Sequence, residues 1–229
     1  MTAVLWIVVT LLVYAAARVA YDRSRLAVLN PAIVSIAVVI LILLVTHTPY
    51  AEYDRGGRVI GFWLGPAVVA LGVPLAQQLE RVRRNVAAIS IAMLAGAITG
   101  IVVAIVVAHV MGASPVIVRS LAPRSITTPI AIAVTARLGG IPALSAVVSI
   151  VSGALGGFIG VWLLRRSGVR SRLATGLALG AAAHGLGTAR ATDEGAVEGG
   201  AAGLAMGIMG ILTALLAPVV VSLVLGAAR

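Results

Sequence analysis

The chain has 229 residues, of which 61% are hydrophobic and 10% are charged, and its net charge is +10. A soluble domain is about half apolar and a quarter charged, so this composition excludes an ordinary soluble protein and predicts a polytopic membrane protein. All 17 basic residues are arginines, in short clusters between apolar segments. Because this is the pattern of cytoplasmic membrane loops, it argues against nucleic-acid binding and predicts a multi-pass protein of the inner (plasma) membrane.

In chain order, six apolar segments predict full transmembrane helices, and two further segments are interrupted by polar, Gly- or Pro-containing strings. The six cover residues 2–17, 32–45, 59–77, 86–110, 141–164 and 201–227, and the interrupted segments are 116–138 and 173–192. A transmembrane helix needs roughly 20 mostly apolar residues. The predicted fold class is therefore an all-α polytopic membrane protein, with about six full transmembrane helices and two interrupted segments in a single domain over residues 1–229.

The arginine clusters near residues 18–25, 81–84 and 165–172 decide the predicted topology. All three lie on the cytoplasmic side, where the excess of positive charge belongs, if both interrupted segments enter and leave the membrane on the same side. If both segments crossed fully, the cluster at 165–172 would lie outside. We favour the re-entrant version, and a broken helix that crosses fully is the alternative.

A weak internal repeat accompanies the two interruptions. An offset of 60 residues aligns Thr128-Pro129-Ile130-Ala131 with Thr188-Ala189-Arg190-Ala191 and places Arg124 opposite His184. In the re-entrant topology these units have opposite orientation, and inverted repeats in transporters surround a site near the bilayer midplane. Chance matches between Ala-rich segments are the alternative interpretation.

The candidate substrate-binding residues lie in these two interruptions. They are Arg124, Ser125, Thr127, Thr128 and Pro129 in the first, and His184, Gly185, Gly187, Thr188 and Arg190 in the second. Polar backbone and cations at membrane depth are costly unless they face a cavity or a ligand, and a pair of interrupted segments is the best pointer to a transport site.

The first interruption suits an anion. The residue before a proline avoids the helical conformation, so we expect Thr128 to be extended and the helix after Pro129 to direct its positive end toward the ligand. Arg124 offers a charge that binds carboxylates in a bidentate manner. The structural alternatives are that the hydroxyls only satisfy the broken backbone and that Arg124 extends to the membrane interface.

The second interruption has corresponding alternatives. His184 either contacts substrate or a coupled proton, or makes a structural hydrogen bond. Arg190 either contacts substrate or pairs with Asp193 or Glu194. Gly185 and Gly187 permit an unwound backbone. The acidic residues Asp193, Glu194 and Glu198 are interpreted as a solvated turn, with a gate or cation-coupling site as the alternative.

No known enzyme motif is present, and the chain has no cysteine and only three scattered histidines. The sequence lacks a Gly-x-Ser-x-Gly elbow, a His-Glu-x-x-His string and a phosphate-binding loop that ends in Gly-Lys-Ser/Thr. We therefore expect no catalytic activity, no cofactor and no metal site.

Several strings together resemble the LrgB/CidB family, which includes the C-terminal part of the plastidic glycolate/glycerate translocator. They are Gly65-Pro66-Ala67-Val68-Val69-Ala70-Leu71, Pro123-Arg124-Ser125-Ile126-Thr127-Thr128-Pro129-Ile130-Ala131, Gly139-Gly140-Ile141-Pro142, His184-Gly185-Leu186-Gly187-Thr188-Ala189-Arg190, Leu204-Ala205-Met206-Gly207 and Leu212-Thr213-Ala214-Leu215. The core region of resemblance is about 59–217. Arg124 stands where the family often has lysine, which keeps the charge but changes how an anion is held.

The resemblance implies two functions. Bacterial members resemble holin/antiholin-type modulators of murein hydrolase activity and cell lysis that act with a small LrgA/CidA-type membrane partner. The plastid relative and some bacterial members carry small carboxylates. Because two polar interruptions with cations suit an anion site, the sequence favours a carrier of a small monocarboxylate (glycolate, glycerate, pyruvate or lactate), coupled to a proton or sodium ion and assembled as a homo-oligomer, with a dimer as the guess. The holin/antiholin-like regulator is the alternative.

Overall fold

A computed structural model describes residues 2–24, 29–63, 66 and 79–227 of the chain, and within those ranges all long regular elements are helices. Contacts group the chain into two compact units, Met1–Ala70 and Leu71–Arg229. Most of the predicted span 59–77 and of the Gly65-to-Leu71 string lies outside the described residues.

The first unit contains α1 (Thr2–Ser24), α2 (Pro31–Val45) and α3 (Tyr50–Phe62). Helix α2 begins where the Asn30 side chain accepts hydrogen bonds from the backbone N–H groups of Ala32 and Ile33, with Pro31 at the first helical position. This is the usual arrangement of a capped helix start, since proline has no N–H to leave unsatisfied there. The predicted helix at 32–45 is thus present, with 15 residues.

Helix α3 differs from the sequence-based prediction, because it occupies part of the interval between the predicted spans 32–45 and 59–77 and overlaps the start of the second. Residues 59–62 instead complete α3, which packs against α1. Gly56 permits this contact, because a Cβ atom there would lie 2.7 Å from the carbonyl oxygen of Ala3. Trp6 and Tyr53 add an edge-to-face ring contact at 5.7 Å. A polar segment therefore forms a helix because tertiary packing supports it.

The described residues of the second unit start with the short α4 and include the two interrupted segments between longer helices. Its elements are α4 (Leu79–Arg84), α5 (Val86–Val110), α6 (Pro115–Leu121), α7 (Thr128–Leu138), α8 (Pro142–Arg166), α9 (Arg172–Glu194) and α10 (Ala196–Ala227). Among the described residues of the whole chain, four helical stretches are long and apolar enough to cross a membrane: Ala3–Ser24, Val86–Val110, Pro142–Arg166 and Ala196–Leu225. A multi-pass α-helical membrane protein is therefore what this chain forms, and the number of six full spans stays a prediction.

Helix α9 folds back on itself at His184. Its first arm, residues 172–183, runs parallel to the start of α10, because Gly176 lies against Ala201 and Gly180 against Ala202. Its second arm, residues 185–194, runs antiparallel to α10, since Thr192 lies against Gly199 and Thr188 lies against Met206. The segment therefore starts and finishes at the same end of the unit, as the re-entrant version predicts.

The segment from α6 to α7 also returns to its starting end. The Ser120 hydroxyl accepts a hydrogen bond of 2.7 Å from the backbone N–H of Ile141. A continuous helix would separate residues 21 positions apart by roughly 32 Å. The six residues 122–127 form the turn between the arms. We name α6–α7 the first hairpin and the two arms of α9 the second hairpin.

The two hairpins open at opposite ends of the unit. The second hairpin opens at the end that contains Arg165, Arg166 and Arg172, which we name the arginine end. The first hairpin opens at the other end, where α5 ends and α8 begins. A 25-residue helix thus precedes each hairpin, the starts of these helices lie 56 positions apart, and the two helix–hairpin pairs have opposite orientation. This arrangement supports the inverted-repeat interpretation.

Single cysteines offer a direct test of the hairpins, because the natural chain has none. Ser114→Cys and Ile141→Cys flank the first hairpin, and Ser167→Cys and Asp193→Cys flank the second; all four positions are exposed. We expect a membrane-impermeant maleimide to label the first pair from outside intact cells and the second pair only after permeabilisation. Opposite accessibility of Ser114→Cys and Ile141→Cys would instead show a broken helix that crosses fully.

Candidate functional site

The turn of the first hairpin is built from a proline, three polar residues and a new helix start. Thr127 has ψ of 139° and precedes α7, whose second residue is Pro129. The extended residue is therefore Thr127, and the prediction for Thr128 was wrong, because Thr128 already begins the helix. The Thr127 side chain makes no capping hydrogen bond. It therefore does not satisfy the first backbone N–H groups of α7, which have no acceptor within the helix.

This turn lies at mid-depth in the unit. The Ser125 hydroxyl packs against Gly100, in the middle of α5, where a Cβ atom would lie 3.3 Å from it. Ile130 packs against Gly210, in the middle of α10. Small residues at these two positions let the turn approach both helices closely, as is common in membrane helix packing.

Arg124 extends from the turn toward α8. Its guanidinium Nη1 donates a hydrogen bond of 3.3 Å to the Ser152 hydroxyl, and the residue is half-buried. No carboxylate is bound to Arg124 within the described residues, and the chain has no Asp or Glu between Glu80 and Asp193. A guanidinium without a carboxylate partner at membrane depth attracts an anion.

The turn of the second hairpin is His184, whose φ of 38° and ψ of −123° place it in a strained, left-handed conformation. Such a conformation costs about 1–3 kcal/mol and persists only where the surroundings support it. The imidazole Nε2 lies 2.9 Å from the carbonyl oxygen of Ser149. Gly153 leaves room for the ring, because a Cβ atom there would lie 2.5 Å from His184 Cε1. His184 thus makes the hydrogen bond that its structural interpretation requires, and its contact with a substrate or a coupled proton stays a prediction.

The two turns meet on the same stretch of α8. Arg124 bonds to Ser152 and His184 bonds to Ser149, two residues that are about 4.5 Å apart along the helix axis. The Ser149 hydroxyl is fully buried and has no hydrogen-bond partner within the described chain. We name Arg124, His184, Ser149 and Ser152 the tip cluster.

Sequence reasoning missed Ser149 and Ser152. A signal was available, because Ser145, Ser149 and Ser152 follow one another at spacings of four and three residues, which places them on one helix face. Ser145 is also fully buried, and its hydroxyl lacks a partner in the described chain. A polar stripe on an otherwise apolar helix is a candidate lining of a ligand site.

Two other predicted residues of the second interruption, Thr188 and Gly187, make contacts within the hairpin. Thr188 donates its hydroxyl proton to the carbonyl oxygen of His184 at 2.8 Å, so that proton is not free for a ligand. Gly187 lets the two arms approach, since a Cβ atom there would overlap the carbonyl oxygen of Leu179. Gly185 is exposed and has no such neighbour. The non-helical residue is His184, so the prediction that the glycines unwind the backbone was wrong.

Arg190 lies outside the tip cluster. It donates a hydrogen bond of 2.6 Å to Glu194, which also accepts one of 2.5 Å from Arg165, as the predicted pairing alternative requires. Arg190 and Arg165 line a cavity of about 390 Å³ at the arginine end. Glu194 is therefore a bridge between two arginines rather than part of a solvated turn.

Glu198 also differs from the predicted solvated turn. Its side chain is 8% exposed and accepts two hydrogen bonds from Arg172, at 2.7 and 3.0 Å. A bidentate pair of this kind holds the start of α9 against the start of α10. Only Asp193 of the three acids is exposed, as predicted.

Comparisons with known proteins give a consistent result. Residues 10–223 match the model of the LrgB-like family. The chain is 31% identical to the holin-like protein CidB of Staphylococcus epidermidis, with 96% of each chain covered, and 31% identical to the antiholin-like protein LrgB of Bacillus mycoides, with 95% of each covered. It is 35% identical to the protein YxaC of Bacillus subtilis, with 82% of each covered. No solved structure matches.

The long apolar helices and the two hairpins that meet at mid-depth define a polytopic α-helical membrane protein with a polar cluster inside its second unit. The matched region includes both hairpins and the whole of the tip cluster. The chain belongs to the LrgB-like family.

Proposed function

We propose that this protein is a holin/antiholin-like regulator of cell lysis that acts with a small LrgA/CidA-type membrane partner. The observation that supports this function is similarity along nearly the full chain to proteins named holin-like and antiholin-like. The sequence alone favours a monocarboxylate carrier and gives the lysis regulator as the alternative. The names of these relatives support the regulator, so the regulator is now the first proposal and the carrier the second. The exposed surface of the helices also suits a membrane partner, because only 11–33% of each candidate span is buried in the structure.

A carrier of a small monocarboxylate is the second candidate, and the tip cluster favours it. Two hairpins of opposite orientation bring Arg124 and His184 to one stretch of α8 at mid-depth, where a transport site is expected. Arg124 would bind the carboxylate, and the buried Ser149 hydroxyl would donate to it. The substrate within this class, the coupling proton or sodium ion, and the homo-oligomer are parts of this second proposal.

One set of strains separates the two functions. The protein is expressed in a host that lacks its own LrgB-type proteins, with and without a small LrgA/CidA-type partner, and detergent-induced lysis and murein hydrolase activity are measured. Purified protein in liposomes is then tested for uptake of labelled glycolate, pyruvate and lactate under a pH or sodium gradient. A partner-dependent change in lysis without saturable uptake supports the regulator. Saturable uptake without an effect on lysis supports the carrier instead.

Arg124→Gln tests whether the tip cluster serves either function. We expect activity to fall roughly tenfold in whichever of the lysis and uptake assays the natural protein is active, because the uncharged side chain removes the charge-assisted bond to an anion. Arg170→Gln is the matched control, since it removes one exposed arginine at the arginine end. Equal activity of the two variants would exclude the tip cluster from the function.

A further inference from the structure

A cavity of about 620 Å³ lies at the end of the second unit opposite the arginine end. It lies where α5, α7 and α10 end and α6 begins. Its polar lining consists of His109, Arg119, Arg137 and Ser222, and its seven other lining residues are apolar. The cavity is separate from the tip cluster, because none of the four tip residues lines it.

Both arginines of this cavity are without an anionic partner. The side chains of Arg119 and Arg137 form no ion pair or hydrogen bond within the part of the chain that the structure describes. At the arginine end, by contrast, Arg165, Arg172 and Arg190 all bind Glu194 or Glu198.

The distribution of acidic residues explains this difference. The chain has no Asp or Glu between residues 81 and 192, and the acids at 193, 194 and 198 belong to the arginine end. The cavity therefore contains two arginines, and no carboxylate lies close to them in sequence to neutralise them. A cavity with such a lining concentrates anions from its surroundings.

We propose that this cavity binds the phosphate of an anionic phospholipid between Arg119 and Arg137, with part of an acyl chain along its apolar lining. Guanidinium groups hold phosphate oxygens through paired hydrogen bonds. The depth fits, because the cavity lies where long apolar helices end and lipid phosphates are found. The apolar majority of the lining favours a lipid over a free phosphate ester.

The test uses the full-length protein in neutral detergent, with native mass spectrometry to count bound lipid and a thermal unfolding midpoint as a second measurement. Phosphatidylglycerol is compared with phosphatidylcholine of the same chains and with free glycerol phosphate. The variant is Arg119→Gln with Arg137→Gln. The control is Arg83→Gln with Arg170→Gln, which removes the same charge from two exposed positions outside the cavity.

We expect phosphatidylglycerol to bind the natural and control proteins and to raise their unfolding midpoints, and to bind the cavity variant roughly tenfold more weakly. The proposal is overturned if the cavity variant retains phosphatidylglycerol as well as the control does. It is also overturned if phosphatidylcholine binds equally well, since negative charge would then play no part. Binding of free glycerol phosphate with the affinity of the lipid would assign the cavity to a soluble phosphate ester and would refute the lipid assignment.

Discussion

Gly180→Ala is expected to destabilise the protein by about 3 kcal/mol, because it forces a methyl group into backbone atoms that cannot move independently. A Cβ atom at Gly180 would overlap the carbonyl oxygen of Ala202 and lie 2.7 Å from its Cα. The second hairpin and α10 would have to separate along their whole contact. The measurement is the yield of monodisperse protein in mild detergent, together with the midpoint of thermal unfolding followed by tryptophan fluorescence.

Gly207→Ala on α10 is the matched control. No atom lies within 4 Å of a Cβ built there, so the added methyl group meets open space. Alanine also favours a helix over glycine, and the control is therefore expected to be as stable as the natural protein or slightly more so. Equal stability of the two variants would contradict the close packing of the second hairpin against α10.

His184→Gly is expected to preserve the fold while reducing function about tenfold, in whichever of the lysis and uptake assays the natural protein passes. Glycine relieves the backbone strain at φ of 38°, which offsets the loss of the hydrogen bond to Ser149. The tip cluster, however, loses its imidazole, and a hydrogen bond from that ring to a charged ligand contributes about 1.5 kcal/mol, which corresponds to roughly a tenfold effect. Unfolding midpoint and activity are measured on the same preparation.

His47 provides an internal control, because it is the other described non-glycine residue with a positive φ, at 51°. Its side chain is exposed and lies in the first unit, outside the tip cluster. We expect His47→Gly to keep full activity and to be slightly more stable. If His184→Gly were also fully active, the imidazole would have only a structural role.

The two interrupted segments are recognisable from the sequence alone, since proline, glycine and cations in apolar runs are conspicuous against a background of Ala, Val, Leu and Ile. The bounds of α5, residues 86–110, agree with the predicted helix. Helix α8 continues past its predicted segment through Arg165 and Arg166, and α10 begins before its predicted segment, at Ala196. The prediction missed these residues because it used apolar content to set the bounds of each helix. The interval 46–58 between two predicted spans is occupied in part by α3, because Gly56 lets this helix pack on α1.

The contacts within the site were less predictable. No local sequence pattern predicts the hydrogen bond from Arg124 to Ser152, which is 28 positions away, or the one between His184 and Ser149, which are 35 positions apart. Arg190 was also predicted to share a site with Arg124. In the structure, Arg190 instead bonds to Glu194 at the arginine end. Pairing of this kind depends on where each hairpin turns, and the turn at His184 requires a conformation that local preference disfavours.

The sequence by itself determined that this is a helical membrane protein, which segments are interrupted and where the arginine clusters lie, because composition and the hydrophobic run length follow from the residues alone. Only the tertiary structure decided that both interrupted segments fold back, that their turns meet at Ser149 and Ser152, and that Arg119 and Arg137 share a cavity without a carboxylate. These features depend on contacts between residues distant in sequence, which arise only when the helices pack.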